Sequence, residues 1–303
     1  MFNKSFLVRE IVDTLAKKEF ELFLSEGCFD VAARKDFLML IKALVNVDGL
    51  LKIQAKSLRI ISYFTSAYPL IVSLKSNRGF LEDDVIYSRF NLPVVTLKMF
   101  KRLVWEEFIP FIKTTRGKHT VVIDTRILRE RRKEMRLSLE KLSRKVGISK
   151  KALYEIEKGE VEPMRETVER LEEVLGVDLK KPYRLRIPEK KEYLKTKDAF
   201  QRKVSEEFKR IGIDNSPVKS APFEIIGKEK ISLITALSFN MEKAKMIAPK
   251  VKNLSSIFSS ESIFVLKKSK ERVINGIPII LESELPELET PKELRKLMEE
   301  KKE

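Results

Sequence analysis

Cysteine and histidine are almost absent from this sequence, which has one residue of each, Cys28 and His119. A single cysteine cannot close a disulfide within the chain, and together the two residues cannot supply the four ligands of a structural zinc site. A cysteine–histidine nucleophile pair is conceivable, but the two residues lie far apart in unrelated patterns. We therefore expect Cys28 to pack as a small apolar residue and His119 to lie in a surface turn.

Long apolar runs are also missing, because typical runs of this chain cover only residues 69–72 and 277–281. A helix that crosses a bilayer needs about 20 such residues, so the sequence predicts no membrane span and no membrane partner. Residues 1–15 carry charges within their apolar pattern and show no small-residue cleavage site, so no signal peptide is expected. These absences together predict a cytoplasmic protein.

Basic residues are abundant by contrast. Lysine and arginine number 61 against 45 acidic residues, which gives a formal net charge of +16. Such a field attracts polyanions, among which nucleic acid is the usual partner. The alternative is that the charges form stabilising networks, as in proteins of heat-adapted organisms. With 303 residues, of which 43% are apolar, the chain can form two or three domains with ordinary cores.

Four short helices are predicted between residues 126 and 178. Ser138 and Ser149 are placed to cap two of them, and Gly147 and Gly159 to end the same two in a left-handed conformation. Two short helices joined by a glycine-containing turn form a helix-turn-helix. The apolar positions expected to face its core are Ile127, Leu128, Met135, Leu139, Leu142, Val146, Ala152, Leu153, Ile156, Val168, Leu171, Val174 and Leu175.

Residues 137–159 read L-S-x-x-x-L-S-x-x-V-G-I-S-x-x-x-L-Y-x-I-E-K-G. This pattern resembles the Cro/repressor-type helix-turn-helix of phage repressors and of many bacterial and archaeal regulators. The resemblance implies that the helix after Ser149 enters the major groove of double-stranded DNA. The alternative is another small helical bundle that uses a similar turn.

The same resemblance assigns DNA-contacting roles to individual positions. The residues that match base readers are Lys150, Lys151, Tyr154 and Glu155. The residues that match phosphate contacts are Arg132, Ser138, Ser149 and Lys158, and Arg132 with Glu157 also matches a pair that ties the first helix to the third. Lysine donates to guanine and glutamate accepts from cytosine, which favours G·C pairs in each half-site. For each lysine, a solvated surface charge is the alternative interpretation.

The regions on either side of these helices alternate strand-like and helical patterns. Strands are expected at 29–33, 37–45, 70–74, 85–87 and 93–96, with a helix over 51–64 and another through Phe100 and Leu103. A helix between two such strands predicts an α/β domain with a mixed sheet. Residues 233–237 repeat the pattern of residues 40–44 at an offset of 193 positions, so we interpret the C-terminal third as a second, shorter copy.

The order of these elements resembles the restriction-endonuclease or Holliday-junction-resolvase fold. Active members hold Mg²⁺ with an aspartate and a D/E-x-K pair on the next strand. Asp30 and Lys42 fit that pattern, but Leu40 stands where the second acid belongs. In the second copy we expect Glu224 in place of Asp30, Thr235 in place of the lysine and Leu233 in place of the acid.

We therefore expect no nuclease activity, no catalytic residues, no metal site and no cofactor. The alternative is a metal-dependent DNA nuclease or junction resolvase that uses Asp30 and Lys42. Such an enzyme would borrow a carboxylate from Glu82, Asp83 or Asp84.

The whole arrangement resembles an archaeal family of helix-turn-helix transcriptional regulators. The resemblance implies a degenerate nuclease-like α/β domain over residues 1–115 and a helix-turn-helix domain over 120–180. A basic linker and helix would cover 181–219, and a second α/β domain 220–303. Residues 114–119 are expected to link the first two domains. The basic stretch would either track phosphates or form a solvated linker with an amphipathic helix over about 198–210.

The leading hypothesis is a sequence-specific transcription regulator that binds a pseudo-palindromic operator as a homodimer. A third possibility is that the α/β domains bind an effector or a protein partner. No phosphate-binding loop of the G-x-x-x-x-G-K type is present, so a nucleotide effector has no support from the sequence.

Overall fold

The computed structural model describes residues 3–105, 112–115 and 118–303. They fall into two compact units, Met1–Asn77 with Arg186–Glu303, and Arg78–Leu185. Two residues of the expected linker, Arg116 and Gly117, lie outside the described residues. On either side of them the chain pairs as antiparallel strands, Ile112–Thr115 with Lys118–Val121. His119 lies in the second of these strands and not in a surface turn.

The elements of the described residues follow in chain order. The helices are α1 (Lys4–Ala16), α2 (Lys52–Thr65), α3 (Leu97–Trp105), α4 (Thr125–Glu134), α5 (Leu139–Val146), α6 (Lys150–Lys158), α7 (Arg165–Leu175), α8 (Ala199–Arg210), α9 (Met241–Phe258) and α10 (Pro291–Lys302). The strands are β1 (Glu21–Leu24), β2 (Val31–Arg34), β3 (Leu38–Asn46), β4 (Tyr68–Ser76), β5 (Gly79–Phe80), β6 (Val85–Arg89), β7 (Leu92–Val95), β8 (Ile112–Thr115), β9 (Lys118–Val121), β10 (Asp214–Pro217), β11 (Ile225–Lys228), β12 (Ser232–Ser238), β13 (Glu261–Leu266), β14 (Val273–Ile274) and β15 (Ile277–Leu281).

The N-terminal half of the first unit contains a mixed sheet in the order β1-β2-β3-β4. The first three strands are antiparallel, and β4 runs parallel to β3 after the crossover helix α2. The apolar residues of β3 are buried from Leu38 to Ala43, because helices cover the sheet and leave little of this strand in water. The α/β fold with a mixed sheet that the sequence predicts is therefore confirmed.

The C-terminal half of the first unit contains a sheet in the order β10-β11-β12-β13-β15-β14. Strands β10, β11 and β12 are antiparallel, and β13 runs parallel to β12 after the crossover helix α9. Helix α8 buries Phe200, Val204 and Phe208 in the core of this half. The expected boundary at residue 220 cuts through this packing, because α8 and β10 belong to the same half as the strands that follow them.

The two halves share an order of helix, three antiparallel strands, crossover helix and parallel strand. In the second and third strands of each half the offset is 194, because the N–H of Asp30 donates to Ile41 while that of Glu224 donates to Thr235. Thr235 therefore stands at the position of Ile41, and Ala236 at that of Lys42, which corrects the expected equivalence. One-residue slips lie between the first and second strands and between the third strand and the crossover helix, and apolar periodicity does not reveal the second slip.

The two halves contact each other reciprocally at the ends of their crossover helices. The hydroxyl of Ser232 donates to the carbonyl of Phe64 at the end of α2 (2.6 Å), and Arg34 donates to that of Ile257 near the end of α9. The N–H of Cys28 also donates to the carbonyl of Ser220 (2.6 Å). Each half thus satisfies carbonyls that the helix of the other half leaves unpaired.

The second unit begins with strands in the order β7-β6-β8-β9 and continues into helices α4 to α7. Backbone hydrogen bonds join the strand segment to the last helices, from the N–H of Val121 to Pro163 and from that of Asp124 to Leu179. Within residues 3–105, 112–115 and 118–303, no helix has the length and apolar character that a membrane span requires.

Gly27 provides a test of the packing between the two halves. It has a φ of +154°, and a Cβ atom built on it would lie 2.0 Å from the carbonyl oxygen of Ser220. Gly27→Ala should lower the free energy of unfolding by about 2 kcal/mol or more, because backbone atoms must move apart. Gly49→Ala is the matched control, since nothing lies within 4 Å of its Cβ position. Equal stability of the two variants in denaturant unfolding would contradict the close approach.

Candidate nucleic-acid interface

The two helices of the predicted helix-turn-helix, α5 and α6, are each defined by a serine at the start and a glycine at the end. The hydroxyls of Ser138 and Ser149 each accept the N–H of the residue three positions later (3.1 and 3.0 Å). Gly147 and Gly159 have φ values of +73° and +75° and end these helices. The sequence prediction of both helices and both caps is confirmed.

Most of the apolar residues expected in the core of this domain are buried there. Two expected core residues of the first helix differ, because Ile127 and Met135 are 37% and 41% exposed while Leu128 is fully buried. Helix α4 ends at Glu134, so Met135 follows the helix and turns away from the core. The buried core residues are Val121, Ile123, Leu128, Leu142, Val146, Leu153, Ile156, Val168, Leu171, Leu175 and Leu179.

The four residues predicted to read bases all lie on α6, within its first six residues. Lys150, Lys151 and Tyr154 are exposed, and Glu155 is half-buried. The ammonium group of Lys151 lies 3.8 Å from the carboxylate of Glu155 one turn later. Because residues three and four apart share a helix face, the structure brings the four side chains onto adjoining faces of α6.

Lys158 lies at the end of α6 and contacts Tyr154. Its ammonium group is 4.5 Å from the centre of the Tyr154 ring and 3.9 Å from the carboxylate of Glu160. A hydrogen bond to Tyr154 raises the pKa of Lys158, so its side chain is charged at neutral pH.

Arg132 of α4 forms a two-point ion pair with Glu157 of α6. Its Nε donates to one carboxylate oxygen (2.5 Å) and its Nη2 to the other (3.0 Å), while Nη1 donates to the carbonyl of Leu137 (2.9 Å). Both side chains are largely buried. This geometry fits the predicted tie between the first and third helices. It disfavours a phosphate contact by Arg132, because the guanidinium group faces the interior of the domain.

Asp30 and Lys42, the residues of the expected nuclease-like site, lie together in the first unit. One oxygen of the buried Asp30 carboxylate lies 3.2 Å from the ammonium group of Lys42 and 2.7 Å from that of Lys4. The other accepts the N–H of Ala43 (2.8 Å). Two ammonium groups therefore surround this carboxylate, and Leu40, two residues before Lys42, is fully buried.

Burial controls the chemistry of the groups around Asp30. It lowers the pKa of Lys42 against the opposing attraction of Asp30, and the ammonium group also donates to the carbonyl of Gly27 (2.6 Å). Burial raises the pKa of Cys28 to about 12. This thiol is therefore protonated at neutral pH and is a poor nucleophile, in accordance with its predicted packing role.

Two family models match separate parts of the chain. Residues 4–110 match the PD-(D/E)XK superfamily domain, and residues 128–181 match the helix-turn-helix family. Three archaeal relatives match almost end to end, and each bears the name "Putative HTH-type transcriptional regulatory protein".

The relative from Methanothermobacter thermautotrophicus is 32% identical, over 99% of this chain and 97% of its own. The relative from Methanobrevibacter smithii is 30% identical, over 100% and 99%. The relative from Pyrococcus abyssi is 33% identical, over 98% and 96%. The chain belongs to this archaeal HTH-type regulatory family. No solved structure matches it.

The three acids that could complete a nuclease site in this family member each have a partner within the second unit. Asp83 accepts the hydroxyl of Thr96 and lies 3.3 Å from the ammonium group of Lys98. Asp84 pairs with Arg102, and Glu82 lies 3.8 Å from the imidazole of His119. Among the residues that the structure describes, no three His, Cys, Asp or Glu side chains are grouped to hold a metal ion.

Two further basic residues, Lys4 and Arg170, support these sites, and no sequence motif indicates either of them. Lys4 precedes Asp30 by a whole helix and strand, and no motif connects them. Arg170 of α7 donates to the carbonyl of Val146 at the end of α5 (3.0 Å). A helix end has unpaired carbonyls that an arginine can bind. The sequence alone does not show that Arg170 lies next to such an end, because that depends on how α5 and α7 pack.

The Arg132–Glu157 pair gives a prediction for this helix-turn-helix domain. Arg132→Ala should lower the free energy of unfolding by about 3 kcal/mol, because it leaves the buried carboxylate of Glu157 without its partner. Arg144→Ala, which removes an exposed pair with Glu140 on α5, should cost less than about 1 kcal/mol. Denaturant unfolding, with amide exchange over α4 to α7, measures both. A cost for Arg132→Ala no greater than that of the control would show that the pair does not hold α4 to α6.

Proposed function

We propose that this protein is a sequence-specific DNA-binding transcription regulator whose recognition helix is α6. The observation that carries the proposal is the row of exposed polar side chains over the first two turns of α6, on a helix fixed by caps at both ends. A helix of this kind reaches base edges with its N-terminal residues when it lies in the major groove. Full-length similarity to relatives named as HTH-type regulators supports the same function.

Base readout in this proposal comes from Lys150, Lys151, Tyr154 and Glu155. The two lysines donate to O6 and N7 of guanine, and Glu155 accepts from N4 of cytosine. Lys151 and Glu155 are close enough to hold each other, which would orient both toward neighbouring base pairs. A preference for G·C pairs in each half-site follows from this chemistry.

Phosphate binding in this proposal comes from Ser138, Ser149 and Lys158. The two serines begin helices, where unpaired N–H groups and the positive end of the helix dipole favour an anion. Lys158 is charged and exposed at the other end of α6. Arg132 holds α6 in position through its ion pair with Glu157, and in this proposal it does not contact a phosphate.

We further propose a homodimer on a pseudo-palindromic operator in the cytoplasm. One repressor-type domain contacts few base pairs, so two half-sites are needed for useful specificity. The α/β unit would bind an effector or a partner protein, and this binding would regulate the activity of the protein on DNA.

The proposal includes the absence of metal-dependent nuclease chemistry. A nuclease of this fold needs at least two carboxylates around Mg²⁺. Around Asp30 the nearby charges are the ammonium groups of Lys4 and Lys42, and the neighbouring position on β3 is the apolar Leu40. A cation brought to this carboxylate would meet two positive charges and one acid.

Replacement of the two lysines at the start of α6 tests the DNA-binding proposal. Lys150→Ala with Lys151→Ala should weaken binding to a selected site by roughly 1–3 kcal/mol for each base contact removed. Lys230→Ala with Lys243→Ala, which removes two exposed lysines of the other unit, is the charge-matched control. Fluorescence anisotropy at fixed salt measures both. Equal losses in the two variants would mean that the charge of the chain, and not α6, determines binding.

Leu40→Glu tests the assignment of the Asp30 site as structural. The variant restores the nuclease-like pattern, yet it should lose several kcal/mol of stability because an acid enters a fully buried position. Leu40→Met is the control and should cost less than about 1.5 kcal/mol. Neither variant nor the wild type should cleave supercoiled or branched DNA with Mg²⁺ or Mn²⁺. Cleavage by the wild type that disappears in Asp30→Ala would establish the nuclease instead.

A further inference from the structure

Each half of the first unit has a groove between its own first strand and the crossover helix of the other half. Helix α9 lies against β1 and β2, and α2 lies against β11, next to β10. Strands β1 and β10 each form an edge of their sheet in this unit. The two grooves therefore have the same construction, with the roles of the halves exchanged.

The chain itself fills the groove beside β10, with the extended residues 191–194. Glu192 accepts two hydrogen bonds from the guanidinium group of Arg59 on α2 (2.6 and 2.9 Å). Lys191 pairs with Asp214 at the start of β10, and the N–H of Leu194 donates to the hydroxyl of Ser216 (3.2 Å). The Arg59 guanidinium also lowers the pKa of Glu192, so the acid stays ionised in this contact.

The residues that hold this segment have counterparts in the other groove at the offset of 193 positions. The offset holds before the edge strands, where Phe20 donates to Leu15 and Ile213 donates to Phe208. It also holds at the ends of the crossover helices, which both finish in a left-handed serine. The counterparts of Asp214, Ser216 and Arg59 are Glu21, Phe23 and Lys252.

The groove beside β1 is open among the residues that the structure describes. It contains two cavities of about 430 and 840 Å³, which share Leu24 as a lining residue. Leu22, Phe23 and Ile257 give the smaller cavity an apolar wall. The larger one is also lined by three basic residues, Lys4, Arg9 and Lys250, and by two acidic ones, Glu26 and Asp30. Leu24 itself is 55% exposed, which leaves an aliphatic side chain in water at the centre of the groove.

We propose that the groove between β1 and α9 binds an extended segment of a partner protein, with an acidic residue followed two positions later by an aliphatic one. The acid would pair with Lys250, which lines the open groove, and the aliphatic side chain would cover Leu24. A basic residue just before the acid would meet Glu21. This is the chemistry of Lys191, Glu192 and Leu194, which fill the equivalent groove, and its acid and base have opposite charges to Lys250 and Glu21 of the open one. The site is separate from the helix-turn-helix and does not depend on DNA binding.

The test uses a fluorescent synthetic peptide with the sequence of residues 188–197, titrated into the full chain. We expect saturable binding that weakens by about tenfold or more in Leu24→Glu and in Lys250→Glu, as for central contacts of an interface. Leu51→Glu is the matched control, because Leu51 is 58% exposed and lies outside the groove. It should bind as the wild type does. A peptide with Glu192→Lys should bind at least about tenfold more weakly.

Both groove variants replace exposed side chains, and thermal unfolding by circular dichroism checks that they fold. The proposal is overturned if the peptide shows no saturable binding up to about 1 mM. It is also overturned if Leu24→Glu and Leu51→Glu bind the peptide equally. Sedimentation of the wild type and of Leu24→Glu tests whether a second copy of this chain occupies the groove instead. A dimer that the variant converts to monomer would mean that a second copy of this chain fills the groove.

Discussion

The buried ion pair between Arg132 and Glu157 fixes the position of the helix on which the proposed function depends. The guanidinium group of α4 meets the carboxylate of α6 in two parallel hydrogen bonds, a geometry that sets both distance and angle. A third bond reaches the backbone between α4 and α5. One arginine therefore joins three segments, and the exposed face of α6 takes its orientation from them. DNA readout needs such rigidity, because base contacts are lost when a side chain is displaced by about an ångström.

The first unit contains the predicted α/β architecture, and in our proposal its buried acid Asp30 has a structural role. In a working nuclease of this fold the carboxylate at the start of the second strand holds a metal ion. Here Asp30 instead joins α1, through Lys4, to β3, through Lys42 and Ala43. In the other half Glu224 accepts the N–H of Leu237 and lies 3.5 Å from the ammonium group of Lys197. Each carboxylate thus links a lysine at the start of its half to the third strand of that half.

The features that could be predicted from the sequence are local ones. A serine before a helix and a glycine after it act through the backbone of their own neighbours, so Ser138, Gly147, Ser149 and Gly159 were recognisable without the fold. The crossover helices and most strands were recognisable for the same reason, since their apolar periodicity depends on one face of one element.

The features that the sequence does not reveal depend on contacts between distant residues. No pattern joins Lys4 to Asp30, and apolar strands such as β12 give no internal mark of their register, so Thr235 was placed one residue away from its true position. The amphipathic helix expected over about 198–210 is confirmed as α8, but its place in a linker is wrong, because Phe200, Val204 and Phe208 bury its apolar face in the core of the C-terminal half. Met135 was placed in the core because its spacing fits a helix that in fact ends one residue earlier.

The central claim, that this chain reads a DNA sequence through α6, is tested most directly by selection of bound DNA from a random library. The wild-type protein should enrich a motif with two half-sites related by a two-fold axis and with centres about 34 Å, or a multiple of this, apart. The same selection with Lys151→Ala should change the preferred base at one position of each half-site and leave the spacing unchanged. A library without any enriched motif, or a motif that Lys150 and Lys151 variants select unchanged, would contradict the account.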